Sequence, residues 1–250
     1  VPGMLVRSVF PDAEGRPLLA LGSVTVDHTT PIEQRWGGYY VTGHSAIEHR
    51  GNRIFGEDER SEMNEVGALD PAVYPRSTSD IVALMVLEHQ CRVHNLLTAA
   101  GIRYRRAEWL AKVIDPDADP SRGQAGRIAD SMAAEIVGAL LFKGEADLGE
   151  GIEGDEEFQR DYAARFPRAD NGRSLADFRL YRRVFKHRCS CMIYSSAFDA
   201  LPSRVRGSVL KGLQLALESG EGAGEHLPAS ERGKILAILD DTLPAWRKDR

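Results

Sequence analysis

A chain of 250 residues with 42% hydrophobic and 28% charged residues has the composition of a globular domain able to bury a substantial core. Its net charge of −5 argues against a nucleic-acid binder, and no apolar run reaches the roughly 18 residues that span a bilayer. Cys91, Cys189 and Cys191 cannot all pair, and a bridge across the single residue between Cys189 and Cys191 would be strained, so no disulfide framework is expected. The arginine clusters Arg103, Arg105, Arg106 and Arg182, Arg183, Lys186, Arg188 read as solvated helix faces. The chain begins at Val1 without an initiator methionine or leader, as a processed or trimmed product would.

Residues 1–76 are rich in Gly and Pro, with β-prone runs at Ser23–Val26 and Tyr39–Thr42, and read as an ordered wrap of loops and short strands. From Ser77-Thr78-Ser79-Asp80, which offers several N-cap oxygens, a helix is expected to run from Ile81 to Ala100 and stop at Gly101. Its opening Ile81-Val82-Ala83-Leu84-Met85-Val86-Leu87 is apolar all round, the mark of a central buried helix. Further helices are expected near 103–114, 124–143, 156–165, 175–198, 204–218 and 230–241, with the Gly- and acid-rich 144–154 as a mobile loop. The expected fold class is therefore mainly α: a multi-helix single domain whose loop and short-strand region, 1–76, packs on a helical core, 77–250.

The chain has no GxSxG elbow, HExxH pair, Walker A loop, Glu-x-x-His pair or CxxCH haem-attachment motif. Histidines remain, and five of the seven lie in the first 94 residues: His28, His44, His49, His89 and His94. At about 100° per residue, His89 falls within about 60° of Val82, Val86, Val93 and Leu96, the middle of an apolar stripe. His94 lies about 140° away, so the two cannot readily hold one ion, and Glu88 lies about 100° to the other side. Burial keeps an imidazole neutral, the form that binds metal, and its N–H still requires a partner. A satisfied core histidine and a ligand both meet that requirement.

Arg35-Trp36-Gly37-Gly38-Tyr39-Tyr40-Val41-Thr42-Gly43-His44, followed by Glu48-His49, alternates aromatics with Gly before two histidines. It could line a flat cofactor, or form an aromatic-capped turn carrying surface histidines. Asp27-His28 reads as an orienting carboxylate pair or a polar strand end. His187-Arg188-Cys189-Ser190-Cys191 lacks zinc-knuckle spacing and reads as a buried structural helix on which His187 and Cys191 share a face.

The blocks Arg35–Gly43, His49-Arg50-Gly51-Asn52, Ser79–Gln90 and Cys189-Ser190 with Ile193-Tyr194-Ser195 resemble an uncharacterised family of bacterial exported proteins. In that family a leader and a single c-type haem motif precede the Val-Pro-Gly matching Val1-Pro2-Gly3. The resemblance implies a periplasmic or exported, haem-associated protein, and points to His28, His44, His49, Glu88, His89 and His94 without assigning their roles. His187 and Cys191 depart from the pattern.

The expectation is a haem-associated redox protein, an electron carrier or peroxidase-like, with a redox partner protein. His89 or His49 would be the axial nitrogen, with His44, His94, Trp36 and Tyr40 around the cofactor. One alternative is a non-haem site for iron or another transition metal built from His89, His49, His28 and Glu88. The other is a cofactor-free helical interaction domain.

Overall fold

The computed structural model describes residues 3–56, 62–63, 75, 78–117, 119–244 and 246. The cap candidate Ser77 and the expected boundary at 76/77 lie outside them. About half the chain is helical and less than a tenth is strand, a mainly α fold with short N-terminal strands. No helix among the described residues is long and apolar enough to cross a membrane.

Asp80 begins the central helix α1 (Ile81–Ile114): its carboxylate accepts the Ala83 amide at 2.9 Å, satisfying a first-turn donor. The same carboxylate accepts the Asp155 amide at 2.7 Å, and Asp155 caps α3 (Glu156–Ala164), so one side chain positions two helix starts. Helix α1 does not stop at Gly101. It runs for 34 residues, roughly 50 Å. Gly101 is helical and buried, and a run of good helix formers follows it. Termination comes at Asp115, which turns extended because Pro116 bars the α conformation from the residue before it.

Helix α2 (Gln124–Leu140) packs on α1 and on α5 (Ser203–Ser219), and α6 (Ala229–Thr242) packs on α5. These helices bury alternating thirds and fourths such as Ala129, Met132, Ala133, Ile136 and Leu140. They share one continuous core with Ile32, Trp36 and Val41 from the N-terminal region.

That region contributes β1 (Val6–Ser8) and β2 (Val24–Val26), an antiparallel pair, followed by β3 (His44–Ser45), β4 (Ile54–Phe55) and β5 (Glu62–Met63). The expected strand at 39–42 is a looped segment with one bridge, Thr42 to Asp80. Asn52, with φ of 63°, takes the place of a neighbouring strand. Its side chain accepts from Val41 N and donates to Val41 O, both at 2.7 Å, while its amide donates to Tyr39 O.

The acidic segment 144–154 is anchored despite its glycines. Leu148 and Ile152 are buried, the Ala146 amide donates to His28 O, and β6 (Ile152–Glu153) pairs with β3. Two apolar side chains suffice to pin it.

The expected helix over 175–198 is instead the hairpin β7 (Phe178–Tyr181) and β8 (Arg183–Phe185), a 3-10 turn over Cys191–Tyr194 and a short α4 (Ser196–Asp199). Leu180 and Arg182 take left-handed conformations, with φ of 54° and 64°, that a helix excludes. Phe178 stacks on its cross-strand partner Phe185 at 5.0 Å, and both rings meet Tyr162 of α3. His187 and Cys191 therefore share no helix face, and Arg182, Arg183 and Arg188 do not line one.

Two glycines test this account of the backbone. Gly207 sits inside α5 with open space where a Cβ would go. Gly207→Ala should raise the unfolding free energy by about 0.5–1 kcal/mol in urea denaturation. At Gly37 a Cβ would collide with the Val9 carbonyl, so Gly37→Ala should lower it by on the order of 2–3 kcal/mol.

Candidate functional site

Helix α1 turns Glu88 and His89 into the interior, where the loop after β2 meets them. The Asp27–Thr30 turn is closed by the Thr30 amide on Asp27 O, by the Asp27 amide on Thr30 Oγ1 and by Thr29 on the Asp27 carboxylate. A 3-10 turn over Ile32–Gln34 then delivers Arg35 and Trp36. Glu88, fully buried, accepts Arg35 Nη1 at 2.8 Å and the Trp36 indole N–H at 2.5 Å. Arg35 also donates to the carbonyls of Thr30 and His28, so its guanidinium is held along three directions. Burial pushes the Glu88 carboxyl up to about 7, against the pull of Arg35 and its two hydrogen bonds.

Beside this pair lies a second polar group. His89 Nδ1 is 3.2 Å from His28 Nδ1, and its Nε2 is 2.7 Å from Ser190 Oγ. The His89 ring stacks on Phe142 at 4.0 Å, and His28 packs edge-on to both. Burial, with Arg92 and Arg35 nearby, brings His28 down to about 4 although Asp27 pulls the other way. Burial and the neighbouring His28 hold His89 well below its ordinary value. Two neutral rings can share one proton between their Nδ1 atoms, and Ser190, which accepts the Met192 amide, can give its hydroxyl proton to His89 Nε2. Only His28 Nε2 is left buried without a partner among the described residues. Phe142 and Trp36, on either side of the cluster, both hold left-handed backbone, with φ of 55° and 63°.

The expected site residues thus divide. His28, His89, Glu88 and Trp36 meet in the core. His49 reaches only the edge of the Trp36 ring, at 5.0 Å, and accepts the Gly51 amide. His44 is exposed on β3, and Tyr40 is half-buried in the loop that follows Trp36. The expected set His89, His49, His28 and Glu88 is not gathered about a common point: among the described residues no group of three or more His, Cys, Asp or Glu side chains is arranged to hold a metal ion. Nor does His89 face a cofactor, because both its nitrogens are engaged within the protein and its face is covered by Phe142. Arg35, Ser190 and Phe142 were not foreseen as parts of this centre. Ser190 lies 101 residues from His89, and nothing local marks the two as neighbours.

His94 behaves differently. It is half-buried and takes no hydrogen bond from the described residues. It lines an open groove of about 580 Å³ between the N-terminal segment, at Gly3 and Leu5, and the α1 residues Ala99, Ile102 and Arg103. That volume lies within the roughly 300–1,000 Å³ of cofactor and small-molecule sites. Gly149, Gly151 and Gly154 carry the spacing of a dinucleotide-binding loop, but they flank a two-residue antiparallel strand and form no βαβ unit. The cysteines are free and buried, and burial pushes the Cys189 thiol up to about 12, a poor nucleophile.

Two measurements probe the centre. Glu88→Gln leaves the Arg35 guanidinium buried without a countercharge and should lower stability by about 3–5 kcal/mol in denaturant titration. His28 takes a proton near 6.5 when unfolded and only near 4 when folded, so its contribution is fully present above about 6.5 and lost as pH falls to about 4. Glu88, whose folded value is raised, acts in the opposite sense between about 7 and 4.5, so a His28→Asn variant supplies the reference. Between pH 6.5 and 4 the native chain should lose on the order of 3 kcal/mol more than that variant.

Comparison of the chain with protein-family models, with curated proteins and with solved structures finds no match.

Proposed function

We propose that this is a haem-associated redox protein whose haem seats in the groove beside His94, not in the core at His89. The observation that carries this reading is the His94 imidazole, free of internal hydrogen bonds and lining an open groove of about 580 Å³. A haem presents a flat apolar macrocycle, an iron that takes an imidazole nitrogen, and acidic propionates; when bound it supplies one-electron chemistry. His94 is the nitrogen donor of the groove. Leu5, Ala99 and Ile102 offer apolar surface against which a macrocycle can pack, and Arg103 is the cation for a propionate. In the family that the sequence resembles, the haem-attachment motif stands just before the Val-Pro-Gly, and here Gly3 lines the groove. A few residues of extended chain, at about 3.3–3.6 Å each, would reach across it.

The reading entails a redox partner protein and a periplasmic or exported setting, for an electron carrier or a peroxidase-like enzyme. A cofactor-free interaction domain is the rival. It is favoured by the internal satisfaction of His89 and by the exposed Trp109, Val113 and Ile114 at the end of α1.

Haemin titrated into the purified chain should give a stoichiometric Soret band with the signature of imidazole ligation. His94→Ala should remove that signature and weaken binding about tenfold or more. His89→Ala should leave the spectrum in place and lower stability instead. No Soret change with haemin, or a spectrum that follows His89 and ignores His94, would overturn the proposal.

A further inference from the structure

A second cavity, of about 380 Å³, opens on the far side of Phe142. Its wall is built from the loop after α2, at Phe142 and Glu145, from the β7–β8 turn, at Arg182 and Arg183, from Arg188 and from His226 ahead of α6. Three guanidiniums from one seven-residue stretch therefore meet around one space.

Their internal partners fall short of them. Arg182 pairs with Asp147 at 3.0 Å, while Arg183 and Arg188 share the single carboxylate of Glu231, at 3.1 and 2.8 Å. Three cations face two anions, which leaves one positive charge. Glu145, pushed up to about 7 by burial, adds no negative charge below that pH. Two polar atoms at this wall are also buried and unpartnered among the described residues: Arg183 Nε, a donor, and His226 Nδ1. The second is an acceptor. His226 Nε2 donates to the Leu141 carbonyl at 2.8 Å, which fixes its proton there, and burial favours the neutral ring. Buried groups of this kind normally have partners. Arg182 and Phe142, both at this wall, hold left-handed backbone, which bulky residues avoid unless the surroundings impose it.

We propose that this pocket binds a small singly charged oxyanion bearing a hydroxyl: the anionic oxygens neutralise the surplus guanidinium charge and accept from Arg183 Nε, and the hydroxyl donates to His226 Nδ1. A 2-hydroxycarboxylate is the organic form of that chemistry and dihydrogen phosphate the inorganic form. The Phe142 ring is the apolar wall against which a short carbon chain would lie. The site is independent of the His94 groove and stands or falls without it.

Calorimetric titration of the purified chain at pH 6 with glycolate, acetate and inorganic phosphate tests it. Glycolate should bind with a Kd below about 1 mM. Acetate, which leaves His226 Nδ1 unpaired, should bind about tenfold more weakly. Arg182→Gln, at a side chain whose loss from the surface the fold tolerates, should weaken glycolate about tenfold by removing the surplus charge. His226→Phe should abolish the preference for glycolate over acetate. Binding of phosphate without glycolate would support the pocket and assign it to the inorganic form. Absence of heat with all three at about 10 mM would overturn the proposal. So would equal affinity for glycolate and acetate, or affinities that Arg182→Gln leaves unchanged.

Discussion

The carboxylate of Glu88, buried at the heart of α1, is the point on which the N-terminal region hangs. That region has strands of two or three residues, too short to hold a sheet by themselves. It gains order through attachments to the long helix, of which the Arg35–Glu88–Trp36 group is the most buried. Each hydrogen bond to a charged group contributes about 1.5–3 kcal/mol, but desolvating the ion pair cancels much of that. Area decides the balance. Burying the Trp36 indole, of roughly 150–250 Å², yields on the order of 4–6 kcal/mol, more than the about 1–3 kcal/mol of its left-handed backbone. The ion pair then fixes direction: it sets where the wrap meets the helix, while apolar burial holds it there.

The helices were readable where local signals agreed with packing. Asp80 as the start of α1, the apolar run after it, and the spans of α2, α3, α5 and α6 all follow from caps and a 3.6-residue period. Where two stop signals competed, at Gly101 and Pro116, the stronger won, because glycine merely loosens a helix while proline excludes the residue before it. The stretch 175–198 was unreadable for another reason. Its aromatic residues fit a helix face as well as a hairpin, and the left-handed Leu180 and Arg182 that decide between them have no local signature. Tyr162, supplied by α3, completes the aromatic cluster.

The site shows the same division. That His89 would be buried and in need of partners was legible from its stripe. The identity of the partners was not, because His28, Phe142 and Ser190 come from three distant segments and only the fold brings them together. The tendency to read a buried histidine as a ligand overlooks a simple criterion, the number of ring nitrogens still free. His89 has none, whereas His94, facing a groove of Leu5, Ala99 and Ile102, retains its full donor capacity. On that criterion the less buried histidine is the better candidate for a cofactor.

Phe142 joins the parts of the molecule that chemistry could use. One side of its ring stacks on His89, the ring packs on Phe185 of β8, and it also lines the arginine pocket. Its left-handed backbone follows directly on the end of α2, where Leu141 gives its carbonyl to His226. Because interiors are close-packed, a ligand filling the pocket would restrain this ring, and through it the imidazole pair on the other side. His28 Nε2, the one nitrogen of that pair without a partner, would register the change most directly, since no hydrogen bond fixes its proton. The resonance of that ring nitrogen is thus an internal reporter of the pocket, even though Phe142 stands between them.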